Sequence, residues 1–309
     1  MKRVNPSRQL GRLLVIAVVS QAVVSFPKQV DCGNDLPCRC LEETFSWGSD
    51  VDVKQNSSFV SLDDYSLDAN YSYEWSSTVY TESTLTVDCR SSNLKRIPYT
   101  IPYNVTKLWV SHNSIVYVAR VSLAHCREIV QLDASYNAIS HIDRDAFINM
   151  ENINTIYLSN NQLTDLPREL FNHTIHLTFL DVSHNQLKRL PVINSNIPAL
   201  YILLSFNQIS QMELINQQNY KTFTFIGLDI SNNKLRSIPD NVVRRLNEVF
   251  AERYGEIILD GNPWVCDCEM VSVKRAWPHH PHYIRDTIYC NTPDNLKGKN
   301  MWNIPESQL

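Results

Sequence analysis

Apolar and polar positions repeat in one short phrase between Leu108 and Trp264. The order is apolar, two free positions, apolar, one free position, apolar, two free positions, Asn. Its core reads LWVSHN at Leu108–Asn113, LDASYN at Leu132–Asn137, IYLSNN at Ile156–Asn161 and LDVSHN at Leu180–Asn185. It continues as ILLSFN at Ile202–Asn207, LDISNN at Leu228–Asn233 and IILDGN at Ile257–Asn262, so the asparagines lie 24, 24, 24, 22, 26 and 29 residues apart. A fixed period of this size signals stacked repeats. Each phrase predicts a short strand that turns one apolar side inward, with Val105, Leu108 and Val110 in the first coil and Ile153, Ile156 and Leu158 in the third. One coil cannot bury that side alone; stacked coils bury it against their neighbours. Adjacent strands lie about 4.8 Å apart, so seven make a parallel sheet roughly 30 Å wide.

The asparagines Asn113, Asn137, Asn161, Asn185, Asn207, Asn233 and Asn262 are expected to turn inward at the strand ends and form a ladder. A side-chain amide has two donors and an acceptor for backbone groups that a bend leaves unpaired. A second apolar position follows each bend, at Ile115, Ile139, Leu163, Leu187, Ile209 and Leu235. Leu166-Pro167, Leu190-Pro191 and Ile238-Pro239 come next, and a further apolar position at Leu123, Phe147 or Phe171.

This pattern resembles the leucine-rich repeat family in its extracellular 24-residue form, and the resemblance covers residues 94 to 309. It implies an α/β repeat solenoid: a curved horseshoe with a parallel, concave β-sheet, closed by disulfide caps. The expected organisation is a signal peptide at 1–25, an N-terminal cysteine cap at 26–104 with an acidic insert at 41–83, seven repeats at 105–262 and a C-terminal cysteine cap at 263–309.

The cysteines set the compartment. Cys32, Cys38, Cys40 and Cys89 read as an oxidised cap, and spacing alone leaves three pairings open. The family resemblance implies Cys32–Cys40 and Cys38–Cys89. At the other end, the run Asn262-Pro263-Trp264-Val265-Cys266-Asp267-Cys268, followed by Trp277 and Cys290, is similar to the C-terminal cap of Toll-type and Slit-like proteins. That resemblance implies Cys266–Cys290 and leaves Cys268 in want of a partner beyond Leu309. Two readings follow: a chain that continues past Leu309, or a Cys268 that stays free or bridges two chains. Cys126 sits 13 residues after Asn113, as Met150 does after Asn137, and is expected to be a buried thiol that packs as a small apolar residue. Asp240 is expected to cap a helix over Asn241–Arg253.

Basic residues Lys2, Arg3, Arg8 and Arg12 before the apolar run Leu13–Val19 predict a secretory leader cleaved after Ala22 or Ser25. No later apolar run reaches 18 residues, so a membrane association is expected only if the chain continues past Leu309. The insert between Cys40 and Cys89 holds nine acids and one base over Leu41–Ser83, with Tyr65, Tyr71, Tyr73, Trp75 and Tyr80, and reads as a mobile surface arm. Sequons at Asn56, Asn70, Asn104 and Asn172 predict glycosylation in such a compartment.

Composition narrows the chemistry. A net charge of −4 points to no nucleic-acid partner, and 7 glycines leave little room for phosphate-cradling loops. No G-x-S-x-G or H-E-x-x-H appears, so no enzyme activity and no cofactor are expected. His279, His280 and His282 near Cys266, Cys268 and Cys290 have the density of a zinc site, but cysteines in a secreted cap oxidise, and no metal is expected. Free positions on the strands are expected to form the binding face: Trp109, Asp133, Tyr157, Asp181, Leu203, Asp229 and Ile258, and beside them Ser111, Ser135, Ser159, Ser183, Ser205 and Ser231. Lys107, Gln131, Thr155, Phe179, Tyr201 and Glu256 flank them. The sharpest candidates are the aromatic band Trp109, Tyr157, Phe179, Tyr201 and Phe206, because aromatic anchors dominate interface energetics. The expected role is a secreted or cell-surface module that binds a protein ligand. The alternative is a matrix protein that binds collagen or glycan through its acidic arm.

Overall fold

The structure, a computed structural model, describes residues 23–24, 27–33, 36–47, 80–193, 200–212, 225–250, 255–277, 281–284 and 288–309. At 23–24, 46–47, 80–82, 225–226 and 249–250 it describes the backbone alone. The chain divides into two compact units, one of residues 1–28 and 42–84, the other of 29–41 and 85–309. In the first, strand β1 (Val23–Val24) pairs antiparallel with Phe45 and Ser46. Most of the leader, most of the acidic arm, Asn56, Asn70, His279 and His280 lie outside the described residues.

The arm differs from expectation where it is described. After the short strand β2 (Lys28–Val30), its ends are strands, β3 over Arg39–Trp47 and β4 over Tyr80–Asp88. The physical reason is local: Thr44 and Thr81 in these ends, and Thr84, Thr86 and Val87 just past them, are β-branched, and such residues favour the extended chain.

The second unit is a stack of coils. The end of β4 pairs in parallel with β5 (Val105–Trp109), which pairs with β7 (Gln131–Asp133) and that with β9 (Thr155–Tyr157). β10 (Phe179–Asp181), β11 (Leu200–Leu203), β12 (Phe225–Asp229) and β13 (Glu256–Ile258) extend the same parallel ladder. Two-residue strands β6 (Tyr117–Val118) and β8 (His141–Ile142) pair on the returning side of the first two coils. The middle residue of each inner strand is buried and its neighbours are half exposed, the alternation that a half-buried sheet requires. Leu108, Leu132, Ile156, Leu180, Ile202, Leu228 and Ile257 are at most 2% exposed and form one continuous core with Ile115, Ile139, Leu163, Leu187, Ile209 and Leu235 behind them.

The asparagine ladder links each coil to the one before it. Asn161 Nδ2 donates to Leu158 O (3.0 Å) in its own coil and to Ala134 O (3.0 Å) in the preceding coil, while its Oδ1 accepts from Ile139 N (2.9 Å). Asn137, Asn185, Asn207, Asn233 and Asn262 repeat this pattern. Asn113 makes the same grip on the N-terminal cap through Cys89 O (2.9 Å) and Leu94 N (2.9 Å).

All three disulfides form: Cys32–Cys40, Cys38–Cys89 and Cys266–Cys290. Cys126 is a fully buried free thiol, and burial pushes its pKa up to about 12. Cys268 is free and exposed. The long helix over Asp240–Phe250 begins one residue earlier than expected, with Asp240 inside it, and its described residues Val242, Val243 and Leu246 are buried. The C-terminal cap is built from β14 (Trp264–Val265), a helix over Cys268–Ala276 and β15 (Cys290–Thr292). Asn247 ties the long helix to this cap by accepting from Trp277 Nε1 (2.6 Å) and from the Tyr283 hydroxyl. Lys274 holds the following turn through Met301 O (3.3 Å), Trp302 O (3.1 Å) and Ile304 O.

Candidate inner-wall binding surface

Parallel register fixes which side chains share the open face of the sheet. One row runs Lys107, Gln131, Thr155, Phe179, Tyr201, Gly227, Glu256. The other runs Trp109, Asp133, Tyr157, Asp181, Leu203, Asp229, Ile258. Neighbours in a row lie about 4.8 Å apart at the backbone. In the second row apolar residues and carboxylates therefore alternate at every step.

The aromatic band is shorter than the sequence suggests. Tyr157, Phe179 and Tyr201 are contiguous, with ring centroids 5.4 Å and 6.0 Å apart. Trp109 is cut off from them by Asp133, and the Arg90 guanidinium lies over its ring at 4.6 Å. Arg90 is held there by a forked bond to Asp88 (2.8 and 2.8 Å), and that side-chain bond lowers the Asp88 pKa. Phe206 belongs to a different row. It sits in the bend after the strand at φ 55° and stacks on His184 at 4.3 Å. His112 and Tyr136 make the same stack three coils earlier, at 4.5 Å. These bend residues share a left-handed backbone because the chain must turn before the inward asparagine, and the sequence pattern alone does not distinguish that position from the strand.

The serine row is not an open face. Ser111, Ser135, Ser159, Ser183, Ser205 and Ser231 are buried, at 2 to 8% exposure. The physical reason is the backbone bend, which folds this position under its neighbours and gives several of the hydroxyls work. Ser135 donates from N (3.0 Å) and Oγ (2.6 Å) to Asp133 Oδ1, and Ser183 from N (3.0 Å) and Oγ (2.7 Å) to Asp181 Oδ1. Ser231 N donates to Asp229 Oδ1 (3.0 Å), and Ser111 Oγ to Asp133 Oδ2 (2.8 Å). The serines orient the three aspartates of the second row. Among the described residues none of the three has an ion pair, whereas Asp88, Asp165 and Glu248 do.

Two sequons are described. Asn104 and Asn172 are both exposed; the Asn172 loop is held by the buried Thr174, whose Oγ1 donates to Phe171 O (3.1 Å). A cleft of about 430 Å³ is formed by turns away from these rows, at Asp165, Leu166, Arg168, Lys188 and Leu190, and Arg189 forks onto Asp165 there (3.2 and 2.9 Å). No group of three or more His, Cys, Asp or Glu side chains among the described residues is placed to hold a metal ion. No helix among them is long and apolar enough to cross a membrane.

Residues 103–163 and 151–209 match the family model described as leucine rich repeat. A leucine-rich repeat and fibronectin type III domain-containing protein 1-like protein from Danio rerio is 30% identical over 88 residues, which is 26% of this chain and 12% of that protein. The fold is similar to that of human 5T4, also called trophoblast glycoprotein, with a TM-score of 0.54 and 19% identity over 72% of this chain and 94% of that one. It is similar too to a structure of the Toll–Spatzle complex of Drosophila, with a TM-score of 0.53 and 22% identity over 69% of this chain and 34% of that one. The matched stretch is thus a small part of the curated relative's length. The stacked repeats and the parallel sheet agree with the fold of these neighbours.

Proposed function

The chain is a leucine-rich repeat protein with cysteine caps, and we propose that it works outside the cell as a binding module whose inner wall takes a protein ligand. The observation that carries this is the half-exposed band Tyr157, Phe179, Tyr201 beside carboxylates already oriented by buried serines. Aromatic rings on a rigid sheet supply contact area at little entropic cost, and such anchors carry most of an interface's free energy. Three disulfides suit a protein that is secreted or displayed on the cell surface. The Toll chain named above is described in a complex with a protein partner, Spatzle, which supports the reading for a related fold.

The test uses the secreted full chain, immobilised and probed with a panel of purified extracellular proteins. Any partner found is titrated against the double variant Tyr157→Ala/Phe179→Ala and against Arg168→Ala in the outer turns. The reading expects at least a tenfold loss for the wall variant and none for the outer one. A partner that ignores the wall variant and responds to the outer one counts against it.

A further inference from the structure

Asp181 and Asp229 lie two strands apart in one row, with Leu203 between them. Each has one carboxylate oxygen fixed by a serine backbone N–H, and its second oxygen takes no hydrogen bond among the described residues. The same row shows what such a position accepts. At its N-terminal end an arginine, Arg90, forked onto Asp88, already lies over the aromatic Trp109, next to Asp133; the Asp88 bond does most to raise the Arg90 pKa and the Asp133 charge adds to it. Tyr157 followed by Asp181 repeats the order of Trp109 followed by Asp133, without an arginine of this chain above it among the described residues. Four carboxylates, Asp133, Asp181, Asp229 and Glu256, and one cation, Lys107, stand in the two rows.

We infer that the wall takes a basic helix of a protein partner, laid across the strands, with arginines seven residues apart over Asp181 and Asp229 and an apolar residue between them on Leu203. This rests on the wall reading above. The periods decide between conformations. Carboxylates two strands apart are separated by about 9.6 Å. A helix presents residues i and i+7 on one face about 10.5 Å apart and places i+3 and i+4 midway, where Leu203 requires an apolar group. A polyproline chain repeats at about 9.3 Å but has no side chain facing the wall at the midpoint. An extended strand repeats at about 6.8 Å and misses every second carboxylate. Arginine fits better than lysine because its planar group stacks on Tyr157 while it forks onto a carboxylate.

The probes are helical 18-residue synthetic peptides titrated into the secreted full chain by fluorescence anisotropy at low and moderate salt. One bears arginines at positions 5 and 12 with leucines at 8 and 9. A second has the arginines at 5 and 9, a third has glutamine in place of both, and a fourth is proline-rich with arginine at every third position. The first is expected to bind at least tenfold tighter than the others, less tightly as salt rises. The variant Asp181→Asn/Asp229→Asn, which keeps an oxygen for Ser183 N and Ser231 N, is expected to erase that preference. Equal binding of the first three peptides, an unchanged preference in the variant, or a tighter fourth peptide overturns the inference. Binding that depends on Tyr157 and Phe179 but not on the two carboxylates overturns this inference alone; binding of the first peptide that ignores Tyr157, Phe179 and both carboxylates overturns the wall reading with it.

Discussion

Tyr201 lies across Gly227 and donates its hydroxyl to the Glu256 carboxylate two strands away. The crossing needs a bare Cα beneath the ring, since a Cβ at Gly227 would stand 2.1 Å from Tyr201 Cε2. Gly227→Ala is therefore expected to lift the ring off the sheet, cost about 1–3 kcal/mol as overpacking does, and disturb the stack on Phe179. Denaturant unfolding reads the first effect and the near-ultraviolet circular dichroism of the tyrosines the second. A variant with native stability and spectrum contradicts this account.

The ladder makes a second prediction. Asn161→Ala leaves the buried Ile139 N without its acceptor and removes one of two amide donors from Ala134 O and Leu158 O, which keep Asn137 and Asn185. A buried donor left unpaired costs about 1–3 kcal/mol, and a loss in that range is expected in urea titrations. Asn152→Ala, an exposed asparagine of the turn before the same strand, is the control and is expected to change little.

Alkaline stability follows from two buried acids. Burial raises Cys126 from 9.0 to about 12, and raises Tyr283 from 10.0 to about 12. A folded-state pKa above the unfolded one gives stability that is whole below the unfolded value and fades as pH rises toward the folded one. The unfolding midpoint is expected to fall between about pH 9 and 12, and the fall to be shallower in Cys126→Ala and in Tyr283→Phe, each compared with its own value at pH 7. A flat profile over that window, or the same slope in both variants, runs against the assignment.

Thiol labelling separates the two free cysteines. Native protein at neutral pH is expected to react at Cys268 and not at Cys126, and unfolded, unreduced protein at both. Peptide mapping after alkylation checks this. Modification of Cys126 in the native state contradicts its burial.

Protein secreted from a glycosylating cell is expected to carry glycans at Asn104 and Asn172, where both side chains are exposed. Intact mass before and after enzymatic deglycosylation, with Asn104→Gln and Asn172→Gln, gives the occupancy. An unshifted mass at both positions removes this expectation.

Much of the fold was readable because its causes are local and repeat. Leu108, Leu132 and Ile156 announce the core by spacing alone, and the inward turn of Asn113 to Asn262 follows from amide chemistry at a bend. The disulfide pairings came from resemblance, since spacing leaves three open. The wall was harder to read. Phe206 looks like a strand residue until its φ of 55° puts it in the bend. The serines look like exposed fillers, and it takes their burial to show that they orient Asp133, Asp181 and Asp229. The capped ring of Trp109 and the crossing of Tyr201 over Gly227 depend on partners 19 and 26 residues away in sequence, which only register brings together.

Because every inward amide grips its predecessor in the same manner, a whole coil is the unit by which such a chain can be lengthened or shortened without leaving mismatched cut ends. Excising the coil that carries Tyr157 would let the neighbours join, yet it would bring Asp133 beside Asp181. Like charges would then face each other with no ring between them. Length in this molecule is thus negotiable for the scaffold long before it is negotiable for what the scaffold holds.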